Sequence, residues 1–476
     1  MTVSSDRFTT PQLLDRFSAI VGHGAVKTAS AITNFYSTEP RGLFVGTPLC
    51  VVEPKTSAEI CAVLALCSKY RVEVVPQGGN TGLVGGQTPN NTGQQIILSL
   101  RRLTQAREID PISNTMTLEA GVTLHEAQEF AHSVERYFPL SMASEGSCTI
   151  GGNLATNAGG VHVLAYGPAR DLTLGVEVAL ADGRLLTTLS KLRKDNTGYD
   201  LTRLFIGSEG TLGVITAATL KLFPQPRAQE IAFLGLESPT QALHLLNFIK
   251  AGAGSALQAF ELIPSIALKL VLTHIPNTRE PLADSHPWYA LIEIASNAEN
   301  EPHSLLTHLL SSAITQRFAQ DAIIATSLAQ ARALWSLREN ISEAQKREGG
   351  SIKHDISVPI DCIPAFIDQA GQLIQENFPQ ARPVPFGHMG DGNLHYNISQ
   401  PVGADKAQFL SQWAQMNQII HKLTQDFGGS ISAEHGIGQL KRHLLTQVKD
   451  PVALDIMRNL KTMLDPLGIL NPGKVI

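Results

Sequence analysis

Cysteine is scarce and unpatterned in this chain. The five cysteines, Cys50, Cys61, Cys67, Cys148 and Cys362, are odd in number and form no C-x-x-C. That excludes a disulfide framework, a zinc ribbon and an iron–sulfur cluster, and it fits a reducing compartment. Charge is thin as well, at 17% of residues against about 25% in an average soluble protein. Lys and Arg number 37 against 42 Asp and Glu, a net charge of −5 with no basic run, so the electrostatic footprint of a nucleic-acid binder is absent. No run of about 18 apolar residues occurs, which removes a transmembrane helix. Met1 to Gln12 has no apolar core, carries Asp6 and is not Arg-rich, so neither a signal nor a transit peptide is expected. These absences point to a soluble cytoplasmic protein. With 476 residues, 43% of them hydrophobic, the chain is compact and long enough for two or three domains of about 100–200 residues each.

Glycine, in contrast, is concentrated at particular places. Leu43 to Pro54 is β-rich, and after Thr56 and Ser57 the residues Ile60, Val63, Leu64 and Cys67 recur at helical spacing. Val72, Val74 and Val75 form a strand that feeds Pro76-Gln-Gly-Gly-Asn-Thr-Gly82 and Gly85-Gly86, so the chain opens with a βαβ unit. A second glycine-dense stretch runs from Gly151 to Gly160 ahead of the alternating Leu174, Val176, Val178 and Leu180. A third, Gly207 to Gly213, opens a strand from Val214 to Leu222. Pro224 and Pro226 mark a boundary. Residues 228–350 read as mostly helical, with one strand-like run at Tyr289 to Ile294. Glycines return in Phe386 to Ile398 and Ser432 to Gly438. No internal repeat, coiled coil or low-complexity segment is present.

Adjacent glycines at strand edges let backbone N–H groups converge on an anion, and a pyrophosphate is the natural guest. The spacing is not the G-x-G-x-x-G of a nicotinamide site. For any one loop, simple turn formation is an equal alternative; three such loops in one chain weigh against it. His388 and His395 flank Gly390-Asp391-Gly392, a turn-forming run that would bring the two imidazoles together. Glu434 and His435 add a carboxylate and a third ring. A His₂Glu set leaves an open coordination position, as a catalytic zinc requires, although hydrogen-bonded core histidines are the commoner outcome of such a pattern.

The segments Pro76 to Gly82, Gly151 to Gly160, Lys194-Asp-Asn-Thr-Gly-Tyr-Asp200, Gly207 to Gly213 and Asn471-Pro-Gly-Lys474 resemble the vanillyl-alcohol-oxidase-type FAD proteins. Within these, the D-2-hydroxyacid dehydrogenase branch is the closest, and its 2-hydroxyglutarate-oxidising members closest of all. The resemblance runs from about Val51 to Lys474. It implies an α+β fold: a two-subdomain PCMH-type FAD-binding domain, a substrate (cap) domain and a C-terminal segment returning to the flavin. The expected boundaries are an N-terminal helical segment 1–40, the FAD domain 41–225, a cap domain 226–430 carrying metal ligands, and a closing segment 431–476. The same resemblance assigns FAD contacts to Pro76, Gly78, Gly79, Asn80, Thr81, Gly82, Gly146, Ser147, Gly152, Asn153, Thr156, Gly159, Gly213, Ile215 and Asn471. No histidine stands in the first loop, so FAD is expected to be non-covalent. His388, His395 and Glu434 become ligands of a divalent metal, expected to be zinc, and His435 the general base.

The resemblance also gives Arg338, Ser342 and Lys353 to the distal carboxylate of the substrate, and Asn397 to the α-carboxylate. Read alone, Arg338 and Ser342 are four apart in a helical stretch from Leu334 to Lys346 and would be ordinary surface residues. An Arg fork matches a carboxylate in geometry. Relatives that oxidise D-lactate do not keep the lysine, so Lys353 favours the longer acid. His354 and Ser342 stand where tyrosine and threonine are common, which leaves fine specificity open. The implied reaction is oxidation of D-2-hydroxyglutarate to 2-oxoglutarate, the alternative a D-lactate or broad D-2-hydroxyacid dehydrogenase. The chain encodes no haem, iron–sulfur or nicotinamide site. Reduced FAD must therefore pass its electrons to an external acceptor, for which electron-transfer flavoprotein or a quinone is expected. No sequence feature marks a dimer surface, and a homodimer stays open.

Overall fold

The structure, a computed structural model, describes residues 10–28, 30–298 and 301–476. Residues 1–9 of the stretch read for targeting signals lie outside the described residues. No described helix is long and apolar enough to cross a membrane. The chain divides into two compact units: residues 1–159, 168–224 and 435–476 form one, and 160–167 with 225–434 form the other.

In the first unit, α1 (Thr10–Val21), β1 (Val26–Lys27), β2 (Cys50–Val52), α2 (Ser57–Tyr70), β3 (Val74–Gln77) and β4 (Ile96–Ser99) build a small sheet of order β1-β2-β4-β3. β2, β4 and β3 run parallel to one another, and β1 is antiparallel to β2. Thr56 caps α2 by accepting from the Glu59 N–H. Ile60, Val63, Leu64 and Cys67 are fully buried against Val52, Ile96 and Leu98, so helical and strand periodicities meet in one core. A second sheet is antiparallel, with β5 (Ala106–Asp110), β6 (Thr115–Glu119), β7 (Thr173–Ala179), β8 (Leu185–Thr187) and β9 (Val214–Lys221) in the order β5-β6-β9-β7-β8. The Gly151 stretch, expected as a strand-edge loop, instead enters α3 (Ile150–Thr156).

The C-terminal chain closes on β3. Val74 N–H donates to Ile469 O at 2.8 Å, and Asn471 N–H donates to Val74 O at 2.7 Å. Asp465 holds this return in place: it accepts from the Ile469 and Leu470 N–H groups and pairs with Lys461 Nζ at 2.5 Å. Lys461 also donates to Thr211 O and Leu470 O. Asp465→Ala leaves a largely buried ammonium uncompensated, and breaking such a pair removes about 3–5 kcal/mol. A clearly lower urea midpoint is expected, with loss of the Asn471 anchorage; an unchanged midpoint would contradict this account.

The second unit is built on an eight-stranded antiparallel sheet. Its strands are β10 (Ala228–Leu236), β11 (Leu257–Pro264), β12 (Trp288–Ser296), β13 (Asp321–Ile324), β14 (Ser351–Ile352), β15 (Ile356–Ser357), β16 (Arg382–His388) and β17 (Asn393–Ser399). They run in the order β13-β10-β12-β11-β16-β17-β14, with β15 also on β17. Three of these strands, β10, β11 and β13, fall in the region expected to be mostly helical, and β12 falls on the strand-like run expected at Tyr289 to Ile294. β10 and β11 are covered on both faces, so they read as continuous apolar runs in which the period of two is invisible. One face packs against α4 (Pro239–Ala253) through Leu245, Leu246 and Ile249. The other packs against α5 (Leu328–Glu339) and α6 (Ile341–Glu348) through Leu334, Leu337 and Ile341.

Candidate active site

Two strands and a tight turn create the centre of the site. β16 and β17 pair with Phe386 opposite His395 and His388 opposite Asn393, and Gly390-Asp391-Gly392 makes the connection. Asn393 N–H donates to Asp391 Oδ1, and Gly392 adopts φ +88°. A Cβ on Gly392 would lie 2.5 Å from Val358 O, so the turn admits only glycine. Side chains alternate along strands and match across them, which puts Phe386, His388, His395 and Asn397 on one face.

That face meets β11, where Glu261 lies opposite His388. Glu261 is completely buried. Its Oε1 accepts from His388 Nδ1 at 2.5 Å, and its Oε2 accepts from Arg338 Nε at 2.5 Å. Arg338 stacks over Phe386, its guanidinium 4.8 Å from the ring centroid, and the Phe386 ring lies 5.2 Å from that of His395. The ligand-capable atoms of His388, His395 and Glu434 all fall within 4.8 Å of one another, and His388 Nε2 is 3.6 Å from Glu434 Oε1. Asp355 fixes the Glu434 backbone by accepting its N–H at 3.0 Å, and it accepts from Asn393 Nδ2 through its other oxygen.

Electrostatics reflect this crowding. Burial alone would push the Glu261 carboxyl up, yet Arg338 and His388 hold it down at about 2. For His388, burial disfavours the cation, but Glu261 outweighs it and raises the imidazolium to about 9. Burial is the main reason that Glu434 rises to about 7; His388 opposes the rise while Asp355 and Asp391 reinforce it. Glu434 lies among the carboxylates of Asp355 and Asp391, and two imidazoles with one carboxylate are a donor set that catalytic zinc takes. The residues therefore fit a divalent cation.

The structure separates the remaining substrate residues from that centre by one step. Arg338 and Ser342 do not share one helix face, because Asn340, with ψ near 1°, ends α5 and begins α6. Arg338 is buried, and its Nη2 has no hydrogen-bond partner. Lys353, between β14 and β15, reaches Ser342 O at 3.5 Å. Asn397 donates to Gln345 Oε1 at 2.8 Å. His354 is directed into the core, its Nδ1 2.6 Å from Tyr396 O and its ring against His421. Sequence reasoning missed Glu261 and Asp355. For Glu261 a signal existed: a lone carboxylate inside the apolar run Leu257 to Pro264.

In the first unit, the glycine loops converge. A Cβ on Gly79 would lie 1.9 Å from Ser147 O, and one on Gly78 would lie 2.3 Å from Thr149 Oγ1, so the Pro76 to Gly82 loop lies directly on the segment that holds Gly146, Ser147 and Gly152. Asn80 sits at φ +57° and donates to Thr38 O. Asn471 Nδ2 donates to Gly86 O and Glu209 O, tying the first and third glycine loops together. Thr149 Oγ1, Asn80 Oδ1 and Asn471 Oδ1 are buried without a partner. Such orphaned groups in a glycine-lined cradle fit a polar ligand. Other expected contact residues have visible structural reasons. Gly213 leaves no room for a Cβ against Val178 and Phe205, Ile215 lies buried in β9, and the Thr156 hydroxyl donates to Gly152 O within α3.

Residues 48–189 match the family described as FAD binding domain, and residues 225–475 match FAD linked oxidases, C-terminal domain. Fold and site thus define an FAD-linked oxidoreductase of the PCMH type. The fold is shared with p-cresol methylhydroxylase with substrate bound (TM-score 0.74, 15% identity, 98% of this chain and 96% of that one). It is shared equally with alkyldihydroxyacetonephosphate synthase (TM-score 0.73, 18% identity, 98% and 85%). Mitochondrial D-2-hydroxyglutarate dehydrogenase of Rattus norvegicus is 40% identical over 429 residues, covering 90% of this chain and 78% of the relative. The D-2-hydroxyglutarate dehydrogenase of Xanthomonas citri pv. viticola is 36% identical over 467 residues, covering 98% and 97%. The chain belongs to the D-2-hydroxyglutarate dehydrogenase family.

The cradle then has a direct test. Gly79→Ala drives a methyl into Ser147 O and is expected to weaken FAD retention at least about tenfold, the effect of about 1.4 kcal/mol. The ratio of flavin to protein absorbance after dialysis reads it, and full retention would show that the loop does not hold the cofactor.

Proposed function

We propose that the chain oxidises D-2-hydroxyglutarate to 2-oxoglutarate. Arg338 carries the reading: a buried guanidinium whose Nε is engaged by Glu261 and whose Nη2 has no partner, beside the His388, His395 and Glu434 cluster. A cation-binding set with a carboxylate-seeking fork at its edge suits a hydroxy acid bearing a second carboxylate. When bound, FAD supplies the hydride acceptor for C2, and a divalent cation, zinc in this reading, supplies Lewis acidity toward the hydroxyl.

The chain's own residues do the rest. His388, His395 and Glu434 hold the cation. His435 takes the hydroxyl proton, a task that suits an imidazole near neutral pH. Arg338 Nη2 and Lys353 Nζ hold the distal carboxylate, with the Ser342 hydroxyl beside them. Asn397 Nδ2 carries two hydrogens, gives one to Gln345, and offers the other to the α-carboxylate.

The test is an anaerobic titration with D-2-hydroxyglutarate, following the long-wavelength flavin absorbance, with L-2-hydroxyglutarate and D-lactate in parallel. Bleaching by the D-2-hydroxyglutarate enantiomer alone, lost on chelation and restored by zinc, is the expected result. Equal bleaching by D-lactate would replace this reading with a broad D-2-hydroxyacid dehydrogenase. Lys353→Ala separates the two further. Losing one charge-assisted contact of about 1.5–3 kcal/mol should raise KM for D-2-hydroxyglutarate by about 10–100-fold and leave D-lactate turnover nearly unchanged. An equal effect on both acids would remove Lys353 from distal-carboxylate recognition.

A further inference from the structure

We infer that Glu261 is a positioning residue that sets both the metal ligand His388 and the substrate clamp Arg338, so that cation binding and dicarboxylate recognition share one buried support. This rests on the function proposed above. Three observations carry it. First, the carboxylate has no exposed surface and gives one oxygen to each partner, His388 Nδ1 on Oε1 and Arg338 Nε on Oε2, both at 2.5 Å. Second, each of these bonds selects which atom of the partner remains for a ligand. With Nδ1 as the donor, the neutral ring of His388 that a metal requires presents the lone pair of Nε2, the nitrogen that lies 3.6 Å from Glu434 Oε1; a metal-binding imidazole is commonly oriented by such a carboxylate. With Nε engaged and the plane stacked on Phe386, Arg338 keeps Nη2, the atom without a partner. Third, the strand register imposes the arrangement, because Glu261 and His388 are directly opposed on β11 and β16.

Glu261 touches neither the cation position nor the substrate; it acts through the two side chains that do. A carboxylate suits both because it accepts twice and donates nowhere. An amide has one acceptor and one donor group, so Gln in its place can serve His388 or Arg338 but not both.

The test compares wild type with Glu261→Gln, each stripped of metal by a chelator. Isothermal titration with Zn²⁺ alone is expected to give a dissociation constant about 10–100-fold higher for the variant. At saturating Zn²⁺, KM for D-2-hydroxyglutarate should remain raised at least about tenfold while kcat changes less, the pattern of weakened ground-state recognition. Asp at the same position keeps two acceptors and the charge, and Glu261→Asp is expected to recover part of the zinc affinity. An unchanged zinc affinity, or a KM that returns to the wild-type value once zinc is saturating, would overturn the shared role. If Glu261→Gln does not fold for want of a partner to Arg338, the Glu261→Gln/Arg338→Gln double variant removes the unpaired charge, and its zinc affinity alone decides the His388 arm. Wild type and His388→Ala serve as references: wild-type protein that binds no zinc overturns the functional reading itself, whereas wild-type binding that is lost in His388→Ala and intact in Glu261→Gln overturns only the inference about Glu261.

Discussion

Replacing His435 by alanine is expected to lower kcat on D-2-hydroxyglutarate by about 10²–10⁴-fold, the usual contribution of a positioned general base. FAD content and zinc affinity should stay close to wild type. The reasons lie in how the loop is held. Ile437 N–H and Gly438 N–H both donate to the buried Glu209 carboxylate, and Gly436 and Gly438 adopt φ of +82° and +51°. These contacts depend on backbone atoms and on Glu209, and none of them is lost when the imidazole is removed. A Cβ on Gly436 would come 2.7 Å from Glu209 Oε1, which explains why glycine follows the histidine. The pH profile distinguishes a base from a merely structural residue. The limb of kcat that falls on the acid side should be present in wild type, absent in His435→Ala, and restored in part by added imidazole. A variant retaining kcat within a few-fold would assign proton removal to another group.

The parts of this site that the sequence reveals are those made by neighbours in the chain. His388 and His395 are brought together by a turn whose glycines announce it, and the loop from Pro76 to Gly82 shows its purpose through glycines that press on Ser147 and Thr149. Asn471 came from resemblance alone. The support beneath the site was not legible, because it depends on strand partners far apart in sequence: 127 residues separate Glu261 from His388, and 77 separate it from Arg338. The sheet itself was hidden for a related reason. In β10 and β11 both faces are covered and the alternation disappears; the residue that betrays β11 is the isolated carboxylate Glu261. Glu293 is buried too, held by His162 Nε2 at 2.9 Å and Trp335 Nε1 at 3.0 Å. A lone acid in an apolar run marks a buried, partnered position, and that signal could have located Glu261. Arg338 shows the opposite difficulty: its residue type was read, but that its Nε is engaged and Nη2 is left for a ligand follows only from the packing of α5 on the sheet.

The second large effect comes from the cation. Under the proposed function, removing the cation with a chelator, or removing its proposed ligand with Glu434→Ala, is expected to reduce kcat/KM by about 10³-fold or more, since a Lewis acid held by these residues would supply several kcal/mol toward ionising the hydroxyl and each 1.36 kcal/mol is a factor of ten. The two treatments should then part: zinc returns activity to the chelated wild type and not to Glu434→Ala. The fold gives reason to expect that the variant stays intact. Asp355 binds the Glu434 backbone N–H, a contact that truncation of the side chain leaves in place, and His388 stays anchored on Glu261. The truncation therefore removes a ligand without releasing the segment. Dithionite should reduce the flavin equally in wild type, chelated protein and variant, because chemical reduction bypasses the substrate. Full D-2-hydroxyglutarate bleaching after chelation, with metal analysis confirming an empty protein, would mean that His388, His395 and Glu434 converge for a reason other than cation binding. His435 would then have to take the hydroxyl proton without a cation to make the hydroxyl more acidic.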